Sequence, residues 1–329
     1  MQLRTTKERK QRTKLCSQRV CVPLLVAHYF LLSWYRRIRE LRRVSQTVAS
    51  GVLVSYVYHE NENGTFREVR NKRRNLHIFV KKGYIDDARY TFIFTISGRW
   101  PSTKEFFHSI GTHEETSILP VSSNVITVTR SSTKLCSDLC HHGRTCDKYK
   151  ASFGAFVFLN DGVRGPFTSV ALNTNLALGS WLYQFLRLAT DPRVSVVGSA
   201  VSCEISWHVQ TYFIVIKRAL VDDLFKMWLR SCSEQDWSRM VRDFEVGPSQ
   251  TFLERGFAIA SPSSGRVNIF TGTIPQTSCR NPSTVHVGLE KGLILKYGGE
   301  VFRKHFIHSQ TMADVANWTM LNFPYLYTE

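Results

Sequence analysis

The sequence of 329 residues predicts an α/β fold with a mostly parallel central sheet flanked by helices. Two observations lead to this prediction. Segments typical of strands alternate with segments typical of helices after about residue 50. The strand segments are nearly continuous apolar runs, which is typical of parallel strands that are buried on both faces. The composition, with 43% hydrophobic and 21% charged residues, is that of a globular protein and excludes a disordered chain.

The apolar runs predict the strands in chain order. Gly51–Tyr58 (GVLVSYVY) predicts the first buried strand, and Tyr90–Ile96 (YTFIFTI) predicts the second. The other predicted strands are Asn124–Thr129, Phe156–Leu159, Val194–Val197 and Gln210–Ile216.

The segments between the strands have the apolar spacing of helices. A helix is predicted over Asn71–Lys82, with Leu76, Phe79 and Val80 on one face. No internal repeat or long linker interrupts the pattern, so we expect one domain over residues 51–329 after a leader at residues 1–50. The other predicted helices are Asp138–Tyr149, Trp181–Leu188, Leu220–Arg230 and Pro248–Arg255, and the predicted loops include Asn61–Gly64, Ser261–Gly265 and Thr271–Pro282.

The positive charge is concentrated at the N-terminus. Residues 1–43 contain 12 Lys and Arg and two Glu, and therefore carry +10 of the net +17. The mildly basic remainder fits either a protein that binds anionic small molecules or an ordinary protein surface, and it carries no RRM, zinc-finger or helix-turn-helix pattern. We therefore expect no nucleic-acid partner for the body. The alternative is a basic organellar RNA-associated protein that uses the N-terminal arm.

The leader contains a short apolar segment between basic clusters. Val20–Tyr35 is apolar apart from His28 and Ser33, and its 16 residues fall short of the roughly 20 that a membrane span needs. We expect a membrane-anchor-like leader, namely a type II signal anchor with the body in the lumen of the Golgi or another secretory membrane. An organelle transit peptide and a cytosolic amphipathic leader are the alternatives.

The body has an even number of cysteines and two glycosylation sequons. Disulfides in a secretory lumen are one reading, and zinc at the cluster of cysteines and histidines is another. The CxxxC spacing differs from the CxxC pairs of zinc modules, so a disulfide is favoured there, with Cys203 as one partner considered. The sequons begin at Asn63 and Asn317, the clustered residues are Cys136, Cys140, His141, His142 and Cys146, and the other cysteines are Cys203, Cys232 and Cys279.

The segment FVFLNDGVRGPF, at Phe156–Phe167, carries the strongest chemical signal. An apolar strand runs directly into Asn160 and Asp161, and a carboxylate at a strand end can hold Mn²⁺ or Mg²⁺, which in turn neutralises a diphosphate. Arg164 can donate to phosphate oxygens. The alternative is a plain Asn-Asp-Gly turn in which Arg164 forms a structural salt bridge.

Several segments resemble a eukaryotic glycosyltransferase-like family related to rhamnan-synthesis-type transferases. The most specific segments are NDGVRGPF, from Asn160 to Phe167, and HVQTYF, from His208 to Phe213. The resemblance covers roughly residues 51–261. It implies a GT-A-like fold, a nucleotide-sugar donor, a glycan or protein acceptor and a Golgi setting. The other matching segments are LVSYVYHE at Leu53–Glu60, CSDLCHHG at Cys136–Gly143, VSCEISWHVQTYFIVIKR at Val201–Arg218 and DFEVGPSQTFLERGFAIAS at Asp243–Ser261.

The resemblance also implies roles for residues on the donor side. Asp138 corresponds to the acidic residue that meets the base or ribose of the donor. Asn160 and Asp161 stand where such enzymes have a DxD-type metal and diphosphate site. The first residue is Asn rather than Asp, which puts metal dependence in doubt and gives Arg164 a share of the positive charge.

The acceptor side is predicted from two further segments. His208 belongs to the acceptor-side segment of the family, and Asp243 or Glu245 is the candidate base that takes the proton of the acceptor hydroxyl. The plain structural alternatives are a His208 ring held by backbone groups and carboxylates that cap a helix. A catalytically silent, carbohydrate-binding relative is the alternative function.

Overall fold

A computed structural model describes residues 4–60, 65–98, 125–130, 137–166, 181–203, 205–262, 268–272 and 303–304. The chain divides into two units, Met1–Ser45 and Gln46–Glu329. The first described helix is α1 (Arg4–Ala49). Large apolar side chains between Leu25 and Tyr35 are exposed on this helix. Within the described ranges, no helix is both long enough and apolar enough to cross a bilayer.

Helices and strands alternate through the second unit. The helices are α2 (Phe66–Gly83), α3 (Asp138–Cys146), α4 (Tyr183–Ala189), α5 (Arg218–Arg230), α6 (Trp237–Arg239) and α7 (Gly247–Glu254), with 3₁₀ turns at Asp147–Tyr149 and Ser231–Ser233 and a π-helix at Met240–Val246. The strands are β1 (Val52–Glu60), β2 (Tyr90–Gly98), β3 (Val125–Arg130), β4 (Ala155–Asn160), β5 (Val163–Arg164), β6 (Val194–Gly198), β7 (Val201–Ser202), β8 (His208–Val209), β9 (Phe213–Lys217), β10 (Ala258–Ser261), β11 (Asn268–Thr271) and β12 (Arg303–Lys304).

The described strands form one large sheet in the order β11-β10-β6-β9-β4-β1-β2-β3. The pairs β3–β2, β2–β1, β1–β4 and β6–β10 are parallel, whereas β9 is antiparallel to both β4 and β6. β11 is antiparallel to β10. The predicted α/β class, with a mostly parallel central sheet flanked by helices, is confirmed by this arrangement. Two short ribbons, β5–β12 and β7–β8, lie outside the large sheet.

Both faces of the sheet are covered, as β1 illustrates. The ring of Tyr56 stacks on Phe79 of α2, with centroids 4.9 Å apart. The next side chain, Ser55, forms a 2.8 Å hydrogen bond with His142 of α3. Successive side chains of a strand point to opposite faces, so α2 and α3 lie on opposite sides of the sheet. Trp228 of α5 lies beside His142, so α5 shares the face of α3.

The predicted elements agree with the structure except at their ends. Helix α2 begins at Phe66, five residues before the predicted start, because Thr65 and Glu68 form a capping box there. The strand predicted at Gln210–Ile216 begins only at Phe213, and β10 was not predicted because its run AIAS is short. The predicted turn at Asn61–Gly64, the residues Cys136 and Cys279 and both sequon asparagines lie outside the described residues.

Candidate functional site

The candidate site lies along the edge of the large sheet that is formed by the carboxyl ends of its parallel strands, and not at an edge strand. β1, β2, β3, β4, β6 and β10 run in the same direction, so their carboxyl ends meet there. Because β9 runs the opposite way, the segment that precedes it also reaches this edge. The backbone N–H of Asn160 donates to the carbonyl of Tyr212 at 3.4 Å. Open α/β sheets bind ligands at the carboxyl ends of their strands.

Asp161, immediately after β4, is held at the end of β1. Its backbone N–H donates to the carbonyl of Val57 at 3.0 Å. Its Oδ2 accepts a 2.7 Å hydrogen bond from the backbone N–H of His59 and lies 3.3 Å from Nζ of Lys72. Only 3% of the residue is exposed. The carboxylate is therefore fixed by the backbone of β1 and by a cation from α2.

The surroundings of Asp161 work against its ionisation. Burial and, to a smaller extent, the nearby carboxylate of Asp138 raise the pKa of Asp161 to about 7. The Lys72 ammonium and the His59 N–H favour the ionised form but only partly offset these effects. Perturbed carboxylates of this kind are concentrated at functional sites, although structural ion pairs also produce them.

Asp138 and Asn160 bring a second carboxylate to the same place. Helix α3 begins at Asp138, and the side chain of Ser137 caps it by accepting from the N–H of Cys140. Nδ2 of Asn160 donates to Oδ2 of Asp138 at 2.9 Å. Burial raises the pKa of Asp138 as well, against the opposing charge of Lys72. The structure thus brings the predicted residues Asp138 and Asn160 together beside Asp161.

Lys72 and His59 complete this group, and neither was singled out from the sequence. Nζ of Lys72 donates to the carbonyl of His59 at 2.7 Å. Nδ1 of His59 forms a 2.9 Å hydrogen bond with Oγ of Ser97 at the end of β2. Burial lowers the pKa of the His59 imidazole. The sequence signal for Lys72 is weak because it begins the run Lys-Arg-Arg, which is typical of a solvated helix face.

Arg164 lies behind Asp161 and not at the surface of the site. It is only 1% exposed, and its Nε donates to Oδ1 of Asn75 at 2.8 Å. Nδ2 of Asn75 in turn donates to the carbonyl of Asp161 at 2.7 Å. Arg164 was expected to contact phosphate directly. The structure does not place it for such a contact, because β5 directs its side chain beneath α2. Arg164 supports the backbone of Asp161 through Asn75.

The two predicted base candidates have different surroundings. Oε2 of Glu245 accepts a 3.3 Å hydrogen bond from Oγ1 of Thr211, in the segment that leads into β9 at the site edge. Asp243 is exposed and paired with the neighbouring Arg242, with 2.8 Å between Oδ1 and Nε. That hydrogen bond lowers the pKa of Asp243. The structure brings Glu245 toward the strand ends and leaves Asp243 among surface charges.

His208 is nearly buried and held by its own segment. Nδ1 lies 2.7 Å from the carbonyl of Ser206, so this nitrogen carries the proton and donates. Nε2 lies 3.4 Å from Nε2 of Gln210, which places an acceptor opposite an amide donor. This arrangement matches the alternative in which backbone groups hold the His208 ring.

The cysteine and histidine cluster contains a disulfide. Cys140 of α3 is bonded to Cys232, in the 3₁₀ turn after α5, and not to Cys203, the partner considered from the sequence. Cys203 is itself disulfide-bonded, and Cys146 is a buried thiol outside these disulfides. His142 is occupied by its hydrogen bond to Ser55. The disulfide takes Cys140 out of the proposed zinc ligand set.

The placed residues do not fit Mn²⁺ or Mg²⁺ at Asp161. Among the described residues, no group of three or more His, Cys, Asp or Glu side chains is arranged to hold a metal ion. Oδ2 of Asp161 already accepts from the His59 N–H and faces the ammonium of Lys72. An ammonium in this position repels a second cation, so binding of a divalent ion at Asp161 would require Lys72 to move.

Comparison with known proteins finds similarity only among solved structures. No protein-family model and no curated protein sequence matches the chain. One similar structure is a 4-diphosphocytidyl-2C-methyl-D-erythritol synthase from Anaerococcus prevotii, with 12% identity, a TM-score of 0.30, and coverage of 60% of this chain and 85% of that chain. Another is described as a nucleotide-diphospho-sugar transferase from Desulfovibrio desulfuricans, with 10% identity and a TM-score of 0.36. The match covers 74% of this chain and 97% of that chain.

Proposed function

We propose that this protein is a glycosyltransferase that moves a sugar from a nucleotide-sugar donor to an acceptor hydroxyl. The observation that carries the proposal is the convergence of Asp138, Asn160 and Asp161 with Lys72 at the carboxyl edge of the sheet. These residues come from three separate segments of the chain. Such an edge is where open α/β sheets bind phosphorylated ligands. The resemblance carried by NDGVRGPF and HVQTYF supports the same proposal.

The two sides of the site take different parts in the reaction. The donor lies over the ends of β1 and β4, with its base or ribose beside Asp138. The bond between the sugar carbon and the diphosphate oxygen breaks, and its electron pair goes to that oxygen, whose charge must be stabilised. The acceptor oxygen forms the new bond to the sugar carbon, and Glu245 takes its proton. Thr211 orients Glu245 for this role.

We also propose that the body of the protein works in a secretory compartment, where the leader attaches it to the Golgi or a related membrane. Disulfides persist in oxidising compartments and are rare in the cytosol. The bond between Cys140 and Cys232 supports this setting, as does the disulfide bonding of Cys203. Carbonate extraction and protease protection of the full chain in isolated membranes would test this setting.

The function is tested by a screen of nucleotide sugars and nucleoside diphosphates in thermal-shift assays, followed by donor-turnover assays. A ligand that binds the folded state raises the melting temperature, so at least one nucleotide is expected to do so. Asp138→Asn should weaken the binding of that nucleotide about 10- to 100-fold, as expected for a lost hydrogen bond to a charged group.

Asp222→Asn is the matched control for this screen. Asp222 lies on α5, is paired with Lys150 and Lys226, and is well exposed. This variant should bind the nucleotide like the wild type. Glycan binding without turnover of any donor would contradict sugar transfer and favour the silent relative.

A further inference from the structure

The cation nearest Asp161 is a lysine that lies at the edge of the site. Lys72 belongs to α2, and its side chain is 27% exposed. Its Nζ lies 2.7 Å from the carbonyl oxygen of His59 and 3.3 Å from Oδ2 of Asp161. Both acceptors belong to the strand ends that form the site. The ammonium is therefore fixed by the protein, on a side chain that is partly exposed to solvent.

An ammonium in this position can bind one more acceptor. Lys Nζ carries three N–H donors. The two acceptors already in contact, the His59 carbonyl and the Asp161 carboxylate, leave a third donor for a ligand. The side chain is partly exposed, which is consistent with a ligand approaching from solvent.

Among the described residues, two other cations near Lys72 contact other protein groups. Arg73, the next residue on α2, donates from Nη2 and Nε to the buried carboxylate of Glu60, at 3.0 and 3.2 Å. Arg164 is buried and donates to Asn75. Among the described residues that contact Asp161 or support it, Lys72 is thus the one whose cation faces the surface of the site.

We propose that Lys72 binds the diphosphate of the donor and neutralises the charge that develops on its leaving oxygen. The proposal rests on the proposed function and deepens it, because the ammonium supplies the positive charge that the sequence suggested for a divalent cation at Asp161. The step needs no oxidant or reductant. As the bond between sugar carbon and oxygen breaks, the electron pair stays on the diphosphate, and Lys72 stabilises it electrostatically.

This arrangement gives Asp161 a role opposite to that of a metal ligand. Its carboxylate positions the ammonium of Lys72, but its negative charge also repels the diphosphate. If Lys72 supplies the charge, removing the negative charge of Asp161 strengthens diphosphate binding. If a metal bound by Asp161 supplies it, the same change weakens diphosphate binding. Asp161→Asn separates the two because the amide keeps the size and shape of the side chain.

The test is isothermal titration calorimetry of the full chain with inorganic pyrophosphate and with UDP and GDP, in EDTA and in MnCl₂. We expect the wild type to bind at least one of these probes in EDTA. Lys72→Met should weaken that binding about 10- to 100-fold, as expected for a lost charge-assisted contact. Lys72→Arg should retain part of it, and Asp161→Asn should bind several-fold more tightly than the wild type.

Lys81→Met is the matched control, because Lys81 is an exposed lysine on the same helix, about 13 Å farther along its axis. It removes the same charge and should leave the affinity unchanged. Far-UV circular dichroism of every variant establishes that each is folded. Equal losses in Lys72→Met and Lys81→Met would overturn the proposal, since the effect would then come from net charge alone.

The outcomes separate this proposal from the proposed function. Binding that occurs in MnCl₂ but not in EDTA, and that Asp161→Asn abolishes, overturns the role of Lys72 and leaves sugar transfer standing with a metal. Absence of binding to every probe in both buffers overturns both proposals. Binding in EDTA that depends on Lys72 but not on Lys81 supports the role of Lys72.

Discussion

Asp243 and Glu245 are two residues apart, yet the fold gives them different environments. Glu245 accepts from Thr211 in the segment that reaches the strand ends. Asp243 is exposed and paired with Arg242, and this interaction lowers its pKa. A general base needs both reach and a proton affinity suited to the task. Glu245 contacts the segment that leads to the strand ends, whereas Asp243 lies among surface charges.

Glu245→Gln should therefore reduce turnover about 10²- to 10⁴-fold with little change in donor affinity, because the amide cannot take a proton. Asp243→Asn, the paired control, should stay within about 2-fold of the wild-type rate. Steady-state kinetics with the donor identified by thermal shift measure both. A large loss in Asp243→Asn with normal activity in Glu245→Gln would reverse the assignment.

A second prediction at the residue scale concerns His142, which lies in the core against Ser55. Burial lowers the pKa of His142 to about 3, well below its ordinary value near 6.5. Between these two pH values the unfolded chain binds a proton that the folded chain excludes. The free energy of unfolding should fall as the pH falls through this range, by at most about 1.4 kcal/mol per pH unit for this group.

Urea denaturation of the wild type and of His142→Gln at pH 7.5, 6 and 5 measures this effect. At pH 7.5 the difference between the two proteins reports the lost contact with Ser55. That difference should shrink toward pH 5, because only the wild type loses stability through His142. Curves that stay parallel would show that His142 is not excluded from protonation in the folded state.

The site residues differ in how far the sequence could reveal them. Asp161 and Asn160 follow an apolar run directly, so their place at a strand end was predictable. The place of Lys72 beside Asp161 was not predictable, because it depends on the direction in which α2 crosses the end of β1, and a basic run on a helix gives no sign of that. Arg164 was assigned to phosphate, but the chain turn after β4 buries it beneath Asn75.

At the scale of elements, α3 is tied to the turn after α5 by a covalent bond. Cys140 pairs with Cys232 across 92 residues of sequence. Helix α3 also supplies Asp138, the first residue of the helix, to the site. The disulfide therefore holds together two elements on one face of the sheet and supports a residue of the candidate site.

Removal of this disulfide should destabilise the body substantially. Closure of a loop of about 92 residues is worth about 4–5 kcal/mol in the chain-entropy model, so Cys140→Ser with Cys232→Ser should lose a comparable amount. Urea denaturation under oxidising conditions measures the loss. Cys146→Ser, which changes a buried thiol outside the disulfides, is the control and should cost much less. Equal stability of the double variant and the wild type would contradict the pairing.

The order of elements was largely predictable because each strand is a continuous apolar run bounded by polar residues. The ends of the helices and strands were less predictable, because they depend on local contacts. The extra turn of α2 comes from the capping box of Thr65 and Glu68. β9 begins late because the residues just before Phe213 form the loop that passes the carboxyl ends of the neighbouring strands. The pairing of Cys140 with Cys232 depends on tertiary contact, which spacing alone cannot determine.

At the scale of the whole molecule, the N-terminal unit and the body differ in character. Residues 1–43 carry +10 of the net charge, and the α1 side chains from Leu25 to Tyr35 present large exposed apolar surfaces. Exposed apolar surface next to clustered basic residues is suited to an anionic lipid surface. The body contains the sheet, the disulfide and all the residues assigned to sugar transfer.

Deletion of residues 1–45 should therefore abolish membrane association and leave the donor chemistry intact. Co-sedimentation with phosphatidylcholine vesicles, with and without phosphatidylserine, measures the first effect. Donor turnover and the melting temperature of the truncated chain measure the second. Vesicle binding that survives the deletion, or loss of donor turnover on deletion, would contradict this division of roles.

The most direct test of the account is a crystal structure of the protein with the nucleoside diphosphate selected by the thermal-shift screen. The account predicts that the diphosphate lies over the ends of β1 and β4, within hydrogen-bonding distance of Nζ of Lys72, with the nucleoside beside Asp138. A nucleotide bound at another edge of the sheet, with Asp138, Asp161 and Lys72 in contact only with protein, would contradict it.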